Sequence, residues 1–327
     1  MNRVLAGDIG GTKTRLALVD VVGTRLLVGR EISYPSRDFG TFDALLAEFL
    51  ADAQVPAHAA FGIAGPVKGR SVRVTNLPWH IDADALQLRF GFKTCALLND
   101  LEATACGLPA LGADDVLTLQ QGDPAACGNA AVIAAGTGLG EAGLYWDGRQ
   151  HHPYATEGGH ASFSPQNDLE MDLLRYLQQL HGHVSWERIV SGMGLPDLHN
   201  FLRGYRKSGV PPWLEEEMRA DAAAAISRAA LAGKDDICIE TMDCFVRQYG
   251  AEAGNLALKT MSRGGLYLGG GIAPKILPLL QRDLFLPAFL NKGRMRPLLE
   301  AMPVRVILND RVALFGPALR AGQNAAA

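Results

Sequence analysis

Residues Gly7-Asp8-Ile9-Gly10-Gly11-Thr12-Lys13-Thr14 lie between two apolar runs, Val4-Leu5-Ala6 and Leu16-Ala17-Leu18-Val19. An apolar run, a glycine-rich turn and an alternating apolar run predict a β-hairpin. Paired glycines let the backbone turn tightly and bring its N–H groups against a ligand. Thr12, Lys13 and Thr14 add hydroxyl and ammonium donors, a set suited to phosphate. Asp8 is the odd member, because a carboxylate repels phosphate oxygens unless a cation lies between them. Its presence points to Mg2+, held directly or through water. The stretch nearly fits G-x-x-x-x-G-K-[ST], but Thr12 stands in place of the second glycine, and a strand pattern follows where that loop would open a helix. An ordinary hairpin with a glycine turn is the alternative reading of the same letters.

The pattern occurs twice. Ala130-Ala131-Val132-Ile133-Ala134-Ala135, the turn Gly136-Thr137-Gly138-Leu139-Gly140, a second run from Glu141 and then Asp147-Gly148 repeat strand, glycine turn, strand and Asp-Gly turn. The spacing Gly136-x-Gly138-x-Gly140 is not the dinucleotide fingerprint, and again a strand follows. Two such hairpins predict duplicated halves, each holding phosphates from one side.

Between them the chain reads β-β-β-α-β, with a strand over Arg25 to Ile32, a helix over Thr41 to Ala51 and a buried parallel strand over Ala59 to Ala64 stopped by Gly65-Pro66. Asn76 is expected to make a local turn bond and Trp79 to serve as a core lid. Asp82 caps a helix over Ala83 to Phe90. The strand Cys95 to Leu98 ends at Asn99-Asp100, where a helix to Leu108 begins. Ligands of open α/β sheets gather beyond the carboxyl ends of strands, so the chemistry is expected at Asn99 and Asp100, although the dipeptide is also a plain N-cap.

Further on, Thr156-Glu157-Gly158-Gly159-His160 sets a carboxylate and an imidazole around two glycines. His151, His152, His181 and His183 have no carboxylate or cysteine at zinc spacing and are expected to be solvated. An amphipathic helix spans Asp168 to His181, and Ser185 is expected to start another with Glu187 in its first turn. Two helices fill Glu215 to Arg263, broken at Gly233-Asp236. A buried strand from Gly264 ends in Gly269-Gly270-Gly271, where an adenine or ribose could lie against bare backbone. A helix after Pro274, a strand over Val304 to Leu308, a helix over Ala313 to Ala321 and an unstructured Ala-rich tail complete the chain.

The 327 residues suffice for two domains. A net charge of -3 leaves no basic footprint for nucleic acid or anionic lipid, which favours a small-molecule ligand. Five cysteines without a CxxC pair are expected to be free thiols in a reducing cytoplasm. Met1-Asn2-Arg3 runs into a strand, so a targeting segment is not expected, and no apolar run reaches membrane-spanning length.

With two glycine hairpins, Asn99-Asp100 at a strand end and Gly269-Gly270-Gly271-Ile272-Ala273-Pro274 in this order, the chain resembles the sugar kinases of the hexokinase and actin superfamily. More narrowly it resembles the bacterial glucokinase family, from Val4 to Ala321. The resemblance implies an α/β, two-domain actin-like/ribonuclease H-like ATPase fold with a duplicated βββαβα core and an interdomain cleft. Residues 1–110 with 301–327 would form the small domain and 111–300 the large one. It implies transfer of the γ-phosphoryl group of ATP to the 6-hydroxyl of glucose, at the entry to glycolysis, in a cytoplasmic homodimer without nucleic-acid or membrane partners. Asp8, Gly10, Gly11, Thr12, Lys13 and Thr14 would match the first phosphate loop, with Asp8 on Mg2+ through water. Gly136, Thr137 and Gly138 would match the second, and Gly270 and Gly271 the adenosine side. Asn99, Asp100, Glu157, His160 and Glu187 would match the sugar set, with Asp100 the catalytic base.

Two departures stand out. Glu141 follows the second loop where an apolar residue is expected, and Ala161-Ser162-Phe163-Ser164-Pro165 replaces the cysteine-rich zinc motif of ROK-type kinases. The second departure favours the zinc-free glucokinase group, and the missing N-terminal helix-turn-helix argues against a repressor. Alternatives are a kinase for mannose or N-acetylglucosamine, a non-catalytic sugar-sensing ATP-binding protein, and a filament-forming or chaperone-like nucleotide-binding protein. A polar sugar site has no purpose in the last, and two intact phosphate hairpins argue against the sensor.

Overall fold

The computed structural model describes residues 2–326, and the chain separates into two compact units. The first takes the chain through residue 115, together with 152–155 and the segment from 309 onward; the second comprises 116–151 and 156–308.

In the first unit, β1 (Asn2–Ile9) turns into β2 (Lys13–Val22) as an antiparallel pair with Ile9 opposite Thr14. β3 (Arg25–Pro35) continues the meander. Thr41 then caps α1 (Phe42–Leu50), accepting the Ala44 N–H, and β4 (His58–Ile63) returns parallel to β1. Three short strands, β5 (Val67–Lys68), β6 (Ser71–Arg73) and β7 (His80–Asp82), form a small separate sheet. Asp82 caps α2 (Ala83–Phe90), β8 (Thr94–Asn99) pairs parallel with β4, and α3 (Asp100–Gly107) follows at once. The sheet order is β3-β2-β1-β4-β8.

Alternation along these strands sorts the side chains by face. Leu5, Ile9, Leu16 and Phe61 join Phe42, Phe49 and Trp79 in one core. Val4, Ala6, Ala17, Val19 and Ala60 meet Leu314 and Ala318 of the C-terminal helix, Val312–Ala326, in another. Trp79 is the expected core lid, 2% exposed, with its indole N–H donating to the Phe39 carbonyl.

A second sheet, of order β12-β11-β10-β13-β14-β9, consists of β9 (Val116–Gln120), β10 (Ala130–Ala135), β11 (Leu139–Trp146), β12 (His151–Thr156), β13 (Gly265–Gly269) and β14 (Val304–Ile307); apart from residues 152–155 of β12 it belongs to the second unit. β10 and β11 are the second antiparallel hairpin, while β13 and β14 run parallel to β10. A central strand with an antiparallel neighbour on one side and two successive parallel strands on the other thus recurs in the same spatial order as in the first unit. The helices of the second unit are α4 (Asp168–His181), α5 (Gly194–Arg206), α6 (Pro212–Leu231), α7 (Asp236–Thr260) and the short α8 (Leu277–Leu280), α9 (Phe285–Leu290) and α10 (Arg296–Glu300). The C-terminal helix is α11.

Four expectations need correction. Ser185 opens only a 3-10 turn, Trp186–Arg188, because Ser185 bridges to Ser162 and the Trp186 N–H is taken by the Ala161 carbonyl; the next helix begins at Gly194. The first of the two long helices begins at Pro212 and breaks at Asp221, whose carboxylate caps the second half at the Ala224 N–H. The Ala-rich tail is helical as far as Ala326, which alanine's helix propensity favours. Val304–Ile307 lies beyond residue 301, yet its backbone pairs with β13 and β9, so it belongs to the second sheet.

Candidate active site

The Gly10-Gly11-Thr12 turn closes with the Gly10 N–H on the Lys13 carbonyl. Ser36 holds it from behind: its hydroxyl donates to the Gly10 carbonyl at 2.7 Å, and its N–H donates to the Thr12 carbonyl at 3.0 Å. The Thr14 and Ser36 hydroxyls lie 2.9 Å apart, so with Ser36 already committed as a donor, Thr14 donates to it. Thr14 is fully buried and braces the turn, whereas Thr12 and Lys13 are exposed. Of the three donors expected to face a ligand, Thr14 is therefore turned away.

Asp8 stands at the end of β1, opposite Arg15. Burial pushes its pKa up to about 6; Arg15 opposes the shift, and Asp100 adds to it. Arg15 itself is shared, with Asp310 at 2.8 Å and Glu31 at 3.7 Å. A buried carboxylate with a second acid nearby and only partial compensation fits the shell of a divalent cation.

Asn99 and Asp100 sit where β8 becomes α3. Asn99 Oδ1 accepts the Leu101 N–H and its amide donates to the Gly65 carbonyl at 3.2 Å, so the residue both caps the helix and ties down the Gly-Pro turn. Asp100 Oδ1 also accepts the Leu101 N–H, at 2.9 Å.

In the second unit, the Gly136 N–H donates to the Gly138 carbonyl, and the Gly192 and Met193 N–H groups donate to the Gly136 and Thr137 carbonyls. Glu187 Oε2 accepts the Leu139 N–H at 2.9 Å, and a Cβ on Gly138 would stand 2.3 Å from that oxygen. Gly270, with φ +80°, lies so close to the Ala135 carbonyl that a Cβ would come within 2.3 Å, and the Ile272 N–H donates to that carbonyl. Gly271 beside it is exposed. The turn Gly158–His160 brings His160 Nε2 within 3.9 Å of Glu157 and Nδ1 within 3.8 Å of Glu187. Glu157, His160 and Glu187 thus converge beside the second glycine turn.

Not all the histidines are simply solvated. His181 pairs with Asp197 at 2.7 Å, and His151 bonds the Gly128 carbonyl. Among the described residues, His199, Asp235 and Cys238 come within 4.8 Å of one another, but the Arg203 guanidinium lies 3.5 Å from His199 Nε2, and its charge disfavours a metal there. A groove of about 1300 Å³ in this unit, lined by Glu170, Arg247, Gln248, Asn255, Lys292 and Arg296 among others, contains none of the expected site residues. Sequence reasoning missed Ser36, Arg15 and Asp310, whose partners are remote in the chain.

The glucokinase family model matches residues 5–324. The chain belongs to the glucokinase family. It is similar to the glucokinase of Trichormus variabilis, with 43% identity across 99% of this chain and 100% of the relative, and to that of Synechocystis, with 40% identity across 98% of each. A crystal structure of glucokinase from an Antarctic psychrotroph superposes with a TM-score of 0.87 at 30% identity, covering 99% of both chains. The two units thus carry the expected α/β sugar-kinase fold of the actin-like ATPase class.

Proposed function

We propose that this chain is an ATP-dependent hexose kinase whose acceptor is the 6-hydroxyl of glucose, yielding glucose 6-phosphate and ADP. The observation that carries the reading is Asp100. It stands at the carboxyl end of a parallel strand, and its charge is felt by the carboxylate beneath the first glycine turn. Membership of the glucokinase family supports the same acceptor.

In this reading Glu157, His160 and Glu187, with Asn99, take up sugar hydroxyls through paired donors and acceptors. An unmatched polar group there costs about 1–3 kcal/mol, which makes hydroxyl stereochemistry legible. Asp100 accepts the proton of the primary hydroxyl as its oxygen attacks the γ-phosphorus, and the bond to the bridging oxygen of ADP breaks. Backbone N–H groups of Gly11 and Thr12, with the Lys13 ammonium, would hold phosphate oxygens, and those of Thr137 and Gly138 would do so from the second unit, while the Gly10 and Gly136 N–H groups close the two turns; Gly270 and Gly271 would offer bare backbone to the nucleoside. Asp8 would hold Mg2+ through water, and the ion supplies charge neutralisation on the phosphates. The enzyme is read as a cytoplasmic homodimer, as the family resemblance implies.

The test is to mix the protein with Mg-ATP and a panel of hexoses and to follow ADP and sugar phosphate. Glucose is expected to be the preferred acceptor. Preference for mannose or N-acetylglucosamine would reassign the acceptor, and the absence of hexose-dependent ADP would end the kinase reading.

A further inference from the structure

Glu141 has no place in the chemistry just described, yet it is 2% exposed as the third residue of β11. Its side chain lies beneath Gly158: a Cβ there would fall 1.9 Å from Glu141 Oε2. Its backbone carbonyl accepts the Thr156 hydroxyl, which also accepts the Gly158 N–H. Among the described residues, Glu141 Oε1 is buried without a hydrogen-bond partner. Facing it from α7 is Glu252, fully buried, which accepts from Asn255 at 2.7 Å and from Lys259 at 3.4 Å. Asn255 in turn accepts from Lys292.

We infer that Glu141 is a positioning residue for the sugar site: its carboxyl group supports the Gly158–His160 turn from beneath and thereby fixes the placement of Glu157 and His160.

Two carboxyl groups facing each other in a buried space cannot both ionise cheaply. Glu252 has the donors, Asn255 and Lys259, and so keeps the charge; Glu141 has none and keeps the proton. Burial first, and the Glu252 charge second, push the Glu141 pKa up to about 8, with Lys259 opposing. The remaining ionisable groups on this network are the buried Tyr249 phenol and Lys292, together with exposed Glu157 and His160 on the turn itself. When Glu141 ionises, a second negative charge arises under Gly158, where no side chain cushions it, and the turn must move. Sugar binding then weakens on the alkaline side while nucleotide binding does not.

The inference rests on assigning Glu157 and His160 to the sugar, so one readout must be independent of glucose. In ligand-free protein with labelled histidine, the His160 ring resonance, assigned with His160→Ala, is expected to shift with a midpoint near pH 8 in the wild type and to lose that step in Glu141→Gln. The same step persisting in Glu141→Gln would overturn the inference. By calorimetry, the glucose dissociation constant of the wild type should rise by at least about five-fold from pH 7 to pH 9, roughly 1 kcal/mol, with ATP affinity flat and Glu141→Gln nearly pH-independent. A flat glucose profile in the wild type would also overturn it. Loss of all glucose binding alongside an intact His160 step would count against the proposed acceptor and leave the support of the turn standing.

Discussion

The Asp100 charge reaches Asp8 and adds to the raising of its pKa. Asp100 stands at the N-terminus of α3, and the proposed role for it is to accept the hydroxyl proton. Asp100→Asn is expected to lower turnover by about 10^2 to 10^4-fold while glucose affinity stays within a few-fold, which a coupled ADP assay and calorimetry would separate. Asp8 is raised from 3.8 to about 6 by burial, so between those values the folded state binds more protons than the unfolded chain. Its contribution is most favourable below 3.8 and is lost as pH rises through 6, a cost of about 3 kcal/mol once complete. In metal-free protein Asp8→Asn should therefore raise the melting temperature at pH 7.5 and lose that advantage near the acid end. A gain that did not vary with pH would show that ionisation is not its source. Ser36→Ala would strip the Gly10 carbonyl and Thr14 of a partner and should cost about 1–3 kcal/mol, visible in urea unfolding. Asp8 stood out in the sequence because a carboxylate among phosphate donors is anomalous, and the fold buries it. Ser36 was not, since nothing in a serine 26 residues from Gly10 announces that it will close the turn from behind.

Among the secondary elements, the two hairpins and the parallel strands could be read directly, because period-two alternation and glycine punctuation coincide there. The outer strands β9 and β12 left no such mark: each lies at an edge of its sheet, and neither carries a continuous buried face. The stretch after Ser185 read as helix because its letters suit one; the bridge to Ser162 that prevents it depends on a contact 23 residues away. Glu141 was conspicuous, but its partner lies on α7, 111 residues on in sequence, and only the folded register brings them together. The packing of α3 on α11 also follows from the fold alone. A Cβ on Gly107 would meet the Val312 carbonyl at 2.2 Å, and one on Gly316 the Ala103 carbonyl at 1.8 Å. Gly316→Ala should destabilise by about 1–3 kcal/mol or more, and Gly107→Ala similarly, since backbone cannot yield as a side-chain tip can. Chemical denaturation of both variants would check this.

At the level of the whole chain, the first unit depends on a segment that returns from far downstream. α11 covers the face formed by Val4, Ala6, Ala17, Val19 and Ala60, and without it that apolar layer has no cover. A chain ending at Leu308 is expected to lose protection from protease across residues 2–115 while a fragment spanning most of 116–308 survives digestion; uniform resistance would refute the dependence. The same discontinuity has a temporal side. A ribosome making about 5–20 residues per second needs roughly 10–40 s to travel from residue 115 to residue 309. Throughout that interval the nascent N-terminal sheet waits with one layer uncovered, so the half made first is the half finished last. In a cell, this is the stage at which chaperones would have most to hold.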